Sequence, residues 1–154
     1  MKSKKIKSVT FSNKTKEIEI EYASKKKYSV HYGQLGIQKN IIKAWVDRET
    51  GNQSVGFEFE DGSVDYMPYD QPLALNKDPD YLLQDQIEHL VLELNETIKK
   101  KGISKKYIAK KLETSENQIF RLLNPSILNK NLEQLYQIAF ILNKQIEIEL
   151  KDAA

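Results

Sequence analysis

The first half of the chain alternates hydrophobic and polar residues with a period of two, as β-strands with one buried face do. Residues 17–22 alternate strictly, which places Ile18 and Ile20 on the same face. The runs that fit a strand are 6–11, 17–22, 28–32, 41–46, 55–59 and 64–67. Their connections are short, and Asp61-Gly62 is typical of a tight hairpin turn. The pattern predicts an antiparallel β domain over residues 1–77.

From Asp78 onward the hydrophobic period is that of an α-helix. Asp78-Pro79 is a typical helix start, with aspartate as the N-cap, and Gly102 is expected to end this helix. Shorter helices are predicted over 105–112, 116–124 and 132–142, capped by Ser104, Ser115 and Asn131. Residues 145–150 return to period two and predict a late strand. The chain is therefore predicted to be α+β, with a helical second domain over 78–154.

Two of these helices are separated only by Glu113-Thr114, which is the spacing of a helix-turn-helix. The residues predicted to anchor the pair in a core are Ile108, Ala109, Leu112, Ile119, Leu122 and Leu123. The second helix then exposes Glu116, Asn117, Phe120 and Arg121, with Gln118 near the edge. Ser115 and Gln118 also have the spacing of a capping box, which would engage the Gln118 side chain instead.

Residues 104–121, SKKYIAKKLETSENQIFR, resemble the Cro/repressor (Xre-type) helix-turn-helix. The family's alanine, leucine, helix-capping serine, isoleucine and arginine fall on Ala109, Leu112, Ser115, Ile119 and Arg121. The chain departs from the family at three positions. Lys105 stands where the family usually has glutamine, Glu113 replaces the turn glycine, and Glu116 stands where a basic or small polar residue is common. The whole chain is similar to bacterial regulators that carry a small β-rich domain before such a unit. The resemblance implies binding to double-stranded DNA.

The exposed side chains suit that function, because arginine can bind guanine and asparagine or glutamine can bind adenine through paired hydrogen bonds. Lysines on the preceding helix are placed for phosphate contacts. The candidate DNA contacts are Lys105, Lys106, Ser115, Glu116, Asn117, Gln118, Phe120, Arg121 and Lys130. Arg121 could alternatively pair with Glu113 or Glu116. Phe120 could contact a thymine methyl group or fold back onto the core.

Composition narrows the alternatives. The net charge of +2 is uninformative, but lysines cluster between residues 99 and 111, and a clustered patch is what phosphates attract. There is no cysteine, no apolar run of about 20 residues and no signal core, so a cytoplasmic protein without membrane contact is expected. His31 and His89 lie in different elements, and no nucleophile or phosphate-loop motif is present. We expect no metal, no cofactor and no enzymatic activity.

The main hypothesis is a sequence-specific transcriptional regulator. The alternative is an antitoxin that neutralises a toxin and autoregulates through the same helices. A third hypothesis is an interaction protein that has lost DNA binding, which Glu113 and Glu116 would favour. A homodimer is expected, because Tyr136 and Phe140 lie off the stripe of Leu132, Leu135, Ile138 and Leu142 that should face the core. The predicted late strand over residues 145–150 is a second candidate for the dimer interface.

Overall fold

The computed structural model describes residues 4–153, and the chain divides into two compact units, Met1–Tyr81 and Leu82–Ala154. The predicted boundary after residue 77 lies slightly earlier than this division, because Tyr81 still packs against the core of the first unit. The described part of the chain holds two three-stranded antiparallel sheets and a set of helices that are mostly C-terminal. The predicted α+β class is confirmed.

The first sheet contains β1 (Ile6–Ser12), β2 (Glu17–Tyr22) and β3 (Lys27–His31), hydrogen-bonded in that order. The alternation along β2 sends Ile18 and Ile20 into the core, where both are fully buried. A short 3-10 helix, Tyr32–Leu35, follows β3.

The second sheet contains β4 (Ile41–Val46), β5 (Ser54–Phe59) and β6 (Val64–Pro68), again in chain order. The side chains of Val55 and Phe57 lie in the same core as those of the first sheet. Asn13 ties the two sheets together. Its Oδ1 accepts hydrogen bonds from the Ile41 amide and the Tyr32 hydroxyl, and its Nδ2 donates to the Ile41 carbonyl. The six strands predicted from alternation are confirmed.

A short helix, α1 (Asp70–Leu75), was not predicted. It is too short to show a helical period, and it contains Pro72. Leu73 is buried in the core of the first unit, so tertiary packing rather than local pattern accounts for this helix.

The remaining helices are α2 (Pro79–Lys101), α3 (Lys105–Lys111), α4 (Glu116–Leu122) and α5 (Leu132–Ile141). The predicted caps are confirmed: Ser104, Ser115 and Asn131 each accept a hydrogen bond from a backbone N–H in the first turn. Gly102 ends α2 with a φ of +64°. The core of the second unit is built from Leu94, Ile98, Ile108, Ala109, Ile119, Leu122, Leu123, Leu135, Ile138, Ala139 and Leu142.

The predicted late strand is wrong, because residues 145–150 form no strand in the structure. A strand needs a hydrogen-bonded neighbour, and the described part of the chain pairs none with this segment. Ile146 packs against the core of the second unit, whereas Ile148 and Leu150 are exposed. No helix within residues 4–153 is long and apolar enough to cross a membrane.

Candidate nucleic-acid interface

The connection between α3 and α4 is a tight turn closed by backbone hydrogen bonds. The Thr114 amide donates to the Ala109 carbonyl over 3.0 Å. Glu113 has a φ of +53°, the left-handed conformation that favours glycine. The chain therefore keeps the backbone of a glycine turn although a glutamate stands there.

The two helices are anchored from their inner sides. Ile108 and Ala109 of α3 and Ile119 and Leu122 of α4 are all buried in the core of the second unit. Because these anchors occupy one side of each helix, the opposite side of α4 is left to the solvent.

The outward side of α4 carries the predicted set of side chains. Glu116, Asn117, Phe120 and Arg121 are all exposed, and their spacing of one and four residues places them on one helix face. Ser115 is the N-cap, and its Oγ accepts from the Gln118 amide over 3.1 Å. Its hydroxyl is thus engaged at the start of the helix.

Gln118 has a role that the sequence did not indicate. Its Nε2 donates to Gln134 Oε1 over 2.8 Å, which joins α4 to α5. The predicted capping box at Ser115 is therefore absent, because the side chain that would close it points to α5. Gln118 is half-buried, and it borders the exposed face rather than standing on it.

Lys105 of α3 borders the same surface, whereas Lys111 lies at the other end of that helix. The Lys105 ammonium lies over the Phe120 ring, 4.5 Å from its centroid, and the Lys111 ammonium lies 5.5 Å from the ring centroid of Tyr107. Lys106 is exposed. Within residues 4–153, the ion pairs include none of these lysines and not Arg121, so the pairing of Arg121 with Glu113 or Glu116 is not observed.

Lys130 lies in the loop after α4 and holds the end of that helix. Its ammonium donates to the Arg121 carbonyl over 2.6 Å and to the Asn124 carbonyl over 2.7 Å. Burial, helped by the nearby charge of Arg121, lowers the pKa of Lys130. A polar cleft of about 220 Å³ opens beside it, lined by Gln118, Arg121, Leu122, Asn129, Lys130 and Asn131. Asn129 was not among the predicted contacts, because no local sequence pattern distinguishes it from other asparagines in loops.

A second feature of this unit is an apolar groove of about 540 Å³ along α5. Phe140, 84% exposed, stands at the groove with Tyr136, which is 40% exposed. Leu112 and Ile141 contribute to the groove, and Lys111 and Glu133 bring opposite charges to it. Leu132, expected in the core, is half exposed, and Ala139 is buried on the inner side of α5.

Within residues 4–153, no group of three or more His, Asp or Glu side chains could hold a metal ion. Comparisons with protein-family models, with curated proteins and with solved structures found no match for this chain.

Proposed function

We propose that this protein is a sequence-specific regulator that binds double-stranded DNA through α3 and α4. The observation that carries the proposal is the exposed face of α4. It presents the Asn117 amide and the Arg121 guanidinium on a helix whose other side is fixed in a core. Arg121 forms no ion pair within residues 4–153. Residues that make base contacts need this combination of a rigid backbone and accessible donors.

In the proposed complex α4 lies in the major groove. Asn117 pairs with an adenine and Arg121 with a guanine, each through two hydrogen bonds. Glu116 accepts a hydrogen bond from a cytosine amino group, which makes its negative charge selective rather than only repulsive. Lys106 contacts a phosphate from the start of α3, and Lys130 fixes the loop beside Arg121.

The test is selection of bound duplexes from a random pool by the full chain, followed by titration of the selected site. Arg121→Ala and Asn117→Ala should each weaken binding to that site by about 1–3 kcal/mol. Lys106→Ala should weaken binding to all duplexes alike and lower the salt slope by about one unit. Lys14→Ala, which removes an exposed cation of the β1–β2 turn, is the matched control. A pool that stays random after selection would refute the proposal.

We also propose that the regulator is a homodimer. Two copies can read half-sites about 34 Å apart, one turn of DNA, which gives the selectivity that a single unit lacks. The groove along α5 supports this proposal. An exposed phenylalanine beside an apolar groove is self-complementary, as a two-fold interface requires, and Lys111 can meet the partner's Glu133.

The second candidate function is an antitoxin, and a feature of the first unit favours it. Among the described residues of that unit, the exposed large hydrophobic side chains are Ile42, Val64 and Tyr66, and all three belong to the second sheet. Val64 and Tyr66 lie two residues apart on β6 and so share one face of that sheet, and an exposed apolar face suits a protein partner. The test is co-expression with the product of a neighbouring reading frame. The antitoxin function would be supported if the full chain relieves growth arrest, and if this effect is lost in Tyr66→Glu and kept in Arg121→Ala.

A further inference from the structure

Phe120 is the one residue on the outward face of α4 that cannot form hydrogen bonds. Its side chain is 51% exposed, whereas Ile119 and Leu122 of the same helix are buried. The ring does not fold back onto the core, since it is absent from the core cluster of this unit. An aromatic ring held among polar base-reading side chains needs an apolar group on the partner to gain from contact.

The Lys105 ammonium gives this ring a defined polar neighbour. It lies 4.5 Å from the centroid of Phe120, within the range of a cation–π interaction. Lys105 is the first residue of α3, directly after the cap Ser104, so its backbone is fixed. The exposed surface therefore presents an apolar ring and a hydrogen-bond donor side by side.

We infer that Phe120 and Lys105 together read the major-groove edge of a thymine. The ring contacts the C5-methyl group, and the ammonium donates to the O4 oxygen. This inference rests on the proposed binding of DNA through α4. Thymine fits because it alone among the standard bases offers a methyl group, with an acceptor beside it. Cytosine lacks the methyl group and presents an amino donor, which would face the ammonium.

The experiment replaces each thymine of the selected site, one at a time, with deoxyuridine, which lacks only the methyl group. At one thymine per half-site, the change should weaken binding of the full chain about fourfold, the value of one buried methyl-sized group. Phe120→Ala should bind the two duplexes equally. Phe120→Leu, which keeps an apolar contact, should keep a preference for thymine. Asn117→Ala is the control and should retain the full fourfold discrimination.

A second arm separates thymine from 5-methylcytosine. At the same position, a methylated C·G pair should bind the full chain about fourfold more tightly than an unmethylated pair, and still more weakly than T·A. Equal binding of 5-methylcytosine and thymine would show that Lys105 does not contribute to thymine recognition.

Failure of this inference differs from failure of the proposed function. If the chain selects a defined site but no thymine in it responds to deoxyuridine in a Phe120-dependent way, the inference is overturned and DNA binding stands. If selection yields no site, both are overturned.

Discussion

Glu113 has a backbone conformation that costs an L side chain about 1–2 kcal/mol, because its Cβ approaches the following carbonyl oxygen. Glycine avoids this cost, but it also loses more conformational entropy on folding, which offsets part of the stabilisation. Glu113→Gly should therefore raise the free energy of unfolding by up to about 1 kcal/mol. Urea titration followed by circular dichroism measures this change.

Lys110→Gly, at an exposed position inside α3, is the matched control and should lower the same quantity by about 1 kcal/mol. Equal losses in the two variants would show that Glu113 is not strained in solution.

Gly56 is a second position at which the presence or absence of a Cβ atom affects stability. It lies in the middle strand β5 opposite Trp45 and Tyr66 of its neighbours. A Cβ at this position would overlap the Trp45 ring, so Gly56→Ala should lower the free energy of unfolding by about 1–3 kcal/mol. Trp45 is the only tryptophan of the chain, and its emission should shift as the ring is displaced.

The double variant tests the cause of that loss. In a Trp45→Ala background there is no ring to displace, and Gly56→Ala should be nearly neutral. A loss of the same size in both backgrounds would mean that strand geometry, not the tryptophan, excludes the methyl group.

At the scale of elements, Asp78 joins the start of α2 to the first sheet. Its Oδ1 accepts from the Tyr81 amide over 2.9 Å, and its Oδ2 accepts from Lys26 over 2.7 Å and from the Tyr28 hydroxyl over 2.6 Å. Burial alone would raise the pKa of Asp78, but these hydrogen bonds outweigh it and hold the pKa below its ordinary value of 3.8.

A carboxyl group whose pKa is lower in the folded state stabilises the fold above its unfolded pKa and loses that contribution as pH falls below it. The free energy of unfolding should therefore drop below about pH 4. Asp78→Asn should cost about 2 kcal/mol at pH 7 and flatten the acid limb of the profile. Asp80→Asn removes an exposed carboxylate from the same lysine and should change little. An unchanged acid limb in Asp78→Asn would contradict the assignment.

Elements whose determinants are local were predictable. Strand alternation identified β1 to β6, and the oxygen-bearing caps at Ser104, Ser115 and Asn131 identified the helix starts. Elements that depend on a distant partner were not. The late strand had the right period but lacks a neighbour, and α1 has almost no period yet packs against the core.

The site divides in the same way. Which residues of α4 face outward follows from helical period and was predictable. The contacts of these residues depend on side chains from other helices. Gln118 bonds to Gln134 on α5, and Phe120 meets Lys105 on α3. No spacing within α4 encodes either partner.

At the scale of the whole molecule, the groove along α5 is the surface on which the proposed dimer depends. The full chain should sediment as a dimer at micromolar concentration, and Phe140→Glu should sediment as a monomer, because a charge cannot be buried unpaired in an apolar groove. Leu92→Glu is the matched control, since Leu92 is also exposed but lies on α2 outside the groove.

A monomeric wild-type chain would refute the dimer. If Phe140→Glu is still a dimer, the interface lies elsewhere than on α5. In either case the titration of a single half-site remains informative, since contacts within one half-site do not require a second copy.

The way α4 is held has an evolutionary consequence. Ser115 fixes its first turn, Lys130 binds the Arg121 carbonyl in its last turn, and Ile119 and Leu122 anchor its inner side. None of these supports is among the four side chains on its outer face. Those four positions can therefore change in succession without loss of the fold. Under the proposed function, a lineage carrying this scaffold could acquire a new DNA target by a few substitutions in one turn and a half of helix.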